Sequence, residues 1–123
     1  MKTNELKGAA LDWAVAKCEG VDDITFYSGC EGGDRNRPRK WVSNSNGFFT
    51  FDFSSWAQGG PIIEREGINL FQRKGATAKE GKAWLAYDNK NPEMAGPTPL
   101  IAAMRCYVAS KLGDTVEIPG ELC

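Results

Sequence analysis

A chain of 123 residues, 41% hydrophobic and 25% charged, has the make-up of a single soluble globular domain that buries roughly 65% of its unfolded surface. Fifteen Lys and Arg against sixteen Asp and Glu leave a net charge of −1, which argues against a dedicated nucleic-acid binder; no run approaches the ~18–20 apolar residues of a membrane span. Histidine is absent, which excludes Ser-His-Asp and Cys-His machinery and removes the commonest transition-metal ligand.

Met1-Lys2-Thr3 runs straight into a helix pattern, with no signal peptide visible, so a cytosolic location is the default expectation. The first helix is expected from Thr3, whose hydroxyl can cap the next turn, to Cys18, with Gly20 beyond it. Leu6, Ala10, Trp13 and Ala14 recur at three- and four-residue spacing with Cys18 at the stripe's edge, and Trp13 reads as core rather than binding surface. A short strand is expected over residues 24–27, followed by a polar, Arg-rich loop over 28–38. Trp41 and Val42 then lead into Asn44-Ser45-Asn46-Gly47, and Phe49, Phe51 and Phe53 alternate with Thr50 and Asp52. That pattern predicts a hairpin with its phenylalanines on one buried face.

The run Ser55-Trp56-Ala57-Gln58-Gly59-Gly60-Pro61-Ile62-Ile63-Glu64 reads as a glycine turn into a short helix that starts at Pro61. Ile68 and Leu70 alternate around Asn69, and Trp84-Leu85-Ala86-Tyr87 forms the expected hairpin partner across a turn containing Gly75 and Gly81. Residues 88–95, with Pro92, read as a polar link. Gly96-Pro97-Thr98-Pro99 supplies a turn, a Thr98 cap and a proline at the first helical position. Leu100, Ala103, Met104, Tyr107, Val108 and Leu112 then share one helix face, and Gly113 stops the helix before a brief extended segment over 115–118. The order predicts one α+β domain over residues 1–123, a small antiparallel sheet built of hairpins and covered by two principal helices.

Cys18, Cys30, Cys106 and Cys123 are too far apart for a C-x-x-C pair and are read as free thiols, with Cys123 exposed and prone to oxidation or intermolecular pairing. Asp12, Asp22, Asp23, Asp52, Glu64 and Glu66 supply carboxylates, but no spacing singles out an acid–base pair or a calcium loop. No catalytic residue, metal or cofactor is assigned.

Two constellations carry functional readings. The first joins Trp56, Gln58, Gly59, Gly60 and Glu64 to Arg105, which falls at the margin of the last helix's apolar stripe. Free N–H groups at a helix start, an aromatic face, an amide and a guanidinium suit a nucleotide or another planar anion. The plainer reading is a packing corner in which Arg105 pairs with Glu64 or Glu66 and Gln58 caps a turn. The second constellation is Arg35, Arg37, Arg39, Lys40 and Trp41, a basic run with a stacking ring that suits nonspecific nucleic-acid binding. Its plainer reading is a solvated loop leading into a strand.

Three stretches carry a family resemblance: Ala9-Ala10-Leu11-Asp12-Trp13-Ala14-Val15-Ala16-Lys17, the Trp56–Glu64 corner, and Gly96-Pro97-Thr98-Pro99-Leu100-Ile101-Ala102-Ala103-Met104-Arg105. With the closing Gly113-Asp114-Thr115-Val116-Glu117-Ile118-Pro119 they resemble, in order over nearly the whole chain, small phage and prophage proteins of the alpha-beta-alpha sandwich (NinX-type) family. The resemblance implies a phage origin and a sandwich of helices around a sheet, and it brings no activity with it. Phe53-Ser54-Ser55 stands where the family pattern carries a Tyr-Ser pair, so no tyrosine hydroxyl is supplied there.

The expected function is that of a non-catalytic phage accessory protein acting by binding in the cytoplasm of the infected host. Within that class the favoured role is counter-defence by sequestering a small nucleotide-like ligand at the Trp56–Arg105 corner. The alternatives are a protein–protein inhibitor of a host factor and, less favoured, nucleic-acid binding through residues 35–41. Exposed sheet edges also allow a homo-oligomer.

Overall fold

The computed structural model describes residues 1–21, 24–30, 38–44, 50–73, 84–89 and 93–120. A 3-10 turn at Thr3–Glu5 precedes the first helix, α1, at Gly8–Cys18. The continuous helix expected from Thr3 is broken because Leu6 and Lys7 are extended and Gly8 has a φ of 56°, left-handed backbone that suits glycine. Tertiary hydrogen bonds outweigh the local helix there. Thr3 is fully buried; its N–H donates to the Asp114 carbonyl at 2.8 Å and its hydroxyl to the Gly113 carbonyl at 2.6 Å. The threonine expected to cap a helix instead fastens the amino end to the segment that follows the last helix.

Strands β1 (Ile24–Cys30), β2 (Pro38–Asn44) and β3 (Thr50–Phe51) form an antiparallel sheet with β2 in the middle. Ile24 pairs with Asn44 and Cys30 with Pro38, so β1 runs past its expected end and the expected polar loop is partly strand. Val42 opposite Phe51 and Ser43 opposite Thr50 give the pairing that the phenylalanine alternation predicts; the expected Asn46-Gly47 turn and Phe49 lie outside the described residues. Phe51 and Phe53 are buried and stacked, with ring centroids 5.5 Å apart.

Helix α2 spans Trp56–Glu66, and strands β4 (Asn69–Gln72), β5 (Trp84–Tyr87) and β6 (Met94–Gly96) form a second antiparallel sheet in that order. The β4–β5 pairing is the expected one, while β6 occupies the end of the expected polar link, with Gly96 opposite Trp84. A Cβ on Gly96 would lie 2.7 Å from the Ala102 nitrogen, so this glycine sets how closely the next helix approaches the strand.

That helix, α3, spans Pro99–Leu112, with Thr98 Oγ1 accepting from the Ile101 N–H at 3.1 Å and Gly113 at a φ of 86° ending it, as the sequence predicts. Leu100, Ala102, Ala103, Met104, Cys106, Tyr107 and Val108 are all buried, so α3 needs neighbours on nearly every side. It packs on β4–β6 on one side and on α1 and α2 on another, and α1 in turn packs on the first sheet. The fold is therefore α+β, but the strands are divided between two sheets with α1 and α3 between them, in place of one sheet covered by helices.

Candidate functional site

Residues 52–55 build the entry to α2. The Ser55 N–H and hydroxyl both donate to the Asp52 carbonyl, at 3.2 and 2.8 Å, and Ser55 itself is extended. The first helical bond runs from the Gly59 N–H to the Ser55 carbonyl at 2.8 Å, so the helix starts at Trp56, ahead of the expected Pro61. Gly59 and Gly60 are helical rather than a turn, and Pro61 lies inside the helix, where it cannot donate to the Ala57 carbonyl. Packing explains this departure. Gly59 is buried where a Cβ would collide with the Phe53 carbonyl and lie 2.7 Å from Leu100 Cδ2, and Ile62 is buried one turn on. The Gly59 N–H is spent within the helix and is not offered to an anion.

Gln58 is committed as well. Its Oε1 accepts from the Asp52 N–H at 2.8 Å and its Nε2 donates to the Thr50 carbonyl at 3.1 Å. From α1, Asp12 Oδ1 accepts from the Phe53 N–H at 2.8 Å. These two side chains pin the segment between β3 and α2 from both sides, which is the plainer of the two roles expected for Gln58.

Arg105 does not join the corner. Half-buried, it donates through Nε to the Leu6 carbonyl at 2.8 Å and through Nη1 to the Ala95 carbonyl at 2.7 Å. Leu100, Tyr107 and Lys111 face α2, and at the α-helical rotation Arg105 lies about 140° round α3 from Leu100. Burial alone pulls its pKa down. The expected pairing of Arg105 with Glu64 or Glu66 is absent; Glu66 instead accepts from Arg65 Nε at 2.9 Å and lies 4.0 Å from Lys111 Nζ.

The guanidinium that carries an ion-pair network is Arg65, at the end of α2. It grips Glu19 with both Nη atoms, at 3.0 and 2.7 Å, while the Tyr107 hydroxyl donates to Glu19 Oε2 at 2.6 Å. The cluster ties the carboxyl ends of all three helices together. The Arg65 hydrogen bond, reinforced by Tyr107, holds the Glu19 carboxyl below its usual range against the opposing effect of burial. Burial and then Glu19 push the Tyr107 hydroxyl up. A carboxyl with a lowered folded pKa stabilises the fold above its unfolded pKa and loses that contribution as pH falls through the folded value. Glu19→Gln is therefore expected to lower Tm near pH 7, with the gap to wild type narrowing towards about pH 3 in thermal denaturation series.

What α2 presents outward is Trp56, Ala57, Gly60, Pro61 and Glu64, which fall on one helical face and include its most exposed positions. The Trp56 side chain is 59% exposed, the most exposed large apolar residue among the described ones. A Cβ on Gly60 would lie 3.7 Å from Trp56 Cε3, so the indole edge rests over this glycine. The face is apolar, with Glu64 its one charge.

The other candidate residues separate. Arg35 and Arg37 lie outside the described residues, whereas Arg39, Lys40 and Trp41 belong to β2, paired with Gly29, Ser28 and Tyr27, rather than to a loop. Cys18 and Cys106 are free thiols, and burial pushes them up to about 12 and about 11, well away from nucleophilic thiolate. Asp22, Asp23 and Cys123 lie outside the described residues. Among the described residues no three His, Cys, Asp or Glu gather to hold a metal, and no helix is long and apolar enough to cross a membrane.

Helices packed between two small antiparallel sheets, with an exposed tryptophan on the outer helix, define a small α+β protein. The profile of the phage family described as Bacteriophage P22, NinX matches residues 2–111, and the chain belongs to that family. No curated protein matches it.

Proposed function

We propose that this NinX-family protein is a non-catalytic phage accessory factor that acts in the host cytosol by docking onto another protein through the outer face of α2. The exposed Trp56 side chain carries this reading. Tryptophan left in water forgoes a large apolar burial, and it is among the residues that most often anchor protein interfaces. Ala57, Gly60 and Pro61 around it let a partner approach closely with little side-chain ordering, and Glu64 at the same face suits a cationic group on the partner. A nucleotide-like ligand at this corner would find the indole but neither the Arg105 guanidinium nor the Gln58 amide, both engaged with backbone groups. A host factor bound in a counter-defence role fits the phage family assignment.

The test is crosslinking-assisted capture from infected cells with wild type and Trp56→Ala, followed by affinity measurement on the recovered partner. Trp56→Ala is expected to weaken the partner at least about tenfold with Tm unchanged, as for an interface anchor. Equal capture and equal affinity by both proteins would reject the docking face.

A further inference from the structure

A second surface feature lies away from the Trp56 face and does not depend on it. Where α1 meets the segment leaving α3, Trp13, Lys17, Leu112, Thr115, Val116 and Glu117 line an open cleft of about 360 Å³. Its size falls at the lower end of the range for small-molecule sites, roughly 300–1,000 Å³. Trp13, expected from its helical spacing to be core, is half-buried: it packs against the core and also lines this cleft. Leu112, expected on the buried stripe of α3, is 42% exposed and contributes apolar surface at the rim.

The far wall is built rigidly. Gly113 turns the chain at a φ of 86°, the Thr3 hydroxyl holds the Gly113 carbonyl, and the Thr3 N–H holds that of Asp114. The Val116 N–H donates to the Met1 carbonyl at 2.9 Å, and the Val116 side chain is buried. A ligand entering here orders little backbone, which favours affinity. Chemistry is distributed asymmetrically around the cleft. Lys17, one turn on from Trp13, holds its ammonium 5.4 Å from the indole centroid, and Glu117, an exposed acidic residue, lines the cleft from the opposite segment.

We propose that this cleft binds a small molecule in which a planar aromatic ring is joined to an anionic group and an N–H donor. Its ring stacks on Trp13 against Leu112, its anionic group meets Lys17, and its donor meets Glu117. Stacking on an indole contributes an amount comparable to one base on an aromatic side chain, and Lys17 is released from the ring to meet the anion. A ligand with negative charge at both ends is disfavoured by Glu117.

Both a nucleoside monophosphate and an aromatic amino acid have this chemistry, so the probes are adenosine 5′-monophosphate and L-tryptophan, each titrated calorimetrically into wild type, Lys17→Met, Leu112→Glu and Trp56→Ala. At least one probe is expected to bind one-to-one with a Kd below about 1 mM. That binding is expected to weaken about tenfold or more in Lys17→Met and Leu112→Glu and to persist in Trp56→Ala. Binding of the nucleotide alone assigns a phosphate source, and binding of tryptophan alone assigns a carboxylate source. Lys17 and Leu112 are exposed, so both variants are expected to keep the wild-type Tm, which thermal denaturation checks. No heat from either probe at millimolar concentration, or affinity indifferent to both cleft variants, would overturn the assignment. Either failure leaves the Trp56 docking face untouched.

Discussion

Arg105→Met is expected to destabilise the protein by about 2–4 kcal/mol, seen as a fall in Tm of roughly 10 °C. The substitution keeps the unbranched stem that packs along α3 and removes two charge-assisted hydrogen bonds. One carbonyl, at Leu6, belongs to the break between the 3-10 turn and α1; the other, at Ala95, belongs to β6. Both lose their donor at part-buried positions, and an unmet carbonyl costs more than the bond itself gained. Arg105→Lys is expected to recover little, because a single ammonium cannot reproduce the fork that spans two carbonyls on different elements. A chain in which Arg105 served a ligand would behave differently: Arg105→Met would leave Tm unchanged and affect binding alone. Thermal denaturation of the two variants decides between these outcomes.

Gly59→Ala is expected to destabilise by about 1–3 kcal/mol, although alanine favours helix over glycine by about 1 kcal/mol. A methyl group at this position meets the Phe53 carbonyl, which is backbone, and Leu100 Cδ2 at 2.7 Å, so the α2–α3 contact must open. Phe53 cannot easily retreat, since its N–H is held by Asp12. Gly60→Ala is the control: its methyl would sit 3.7 Å from the Trp56 ring in ordinary contact, so the propensity gain is expected to stabilise by up to about 1 kcal/mol. Opposite signs at adjacent glycines in urea denaturation would verify that both lie within α2 rather than in a turn preceding it. A gain in stability from both substitutions would contradict the packing described for Gly59.

Residue by residue, the sequence by itself settled what local stereochemistry controls. Thr98, Pro99 and Gly113 mark the ends of α3 because caps and φ restrictions act within one turn. The phenylalanine alternation placed Phe51 of β3 inward, since side chains alternate along any strand, and Phe53, just past the strand's end, is buried beside it. The exposure of Trp56 was not legible: an aromatic beside glycines reads the same on a docking face and in a packing corner. The tertiary structure alone decided where α2 begins, why Pro61 sits inside it, and how the strands divide into two sheets. It also sent Arg105 to a carbonyl 99 residues away and Arg65 to Glu19, 46 residues away. The physical reason is common to these cases. Buried carbonyls, close helix contacts and paired charges are satisfied by whichever group the fold brings near, and sequence spacing carries no record of that distance.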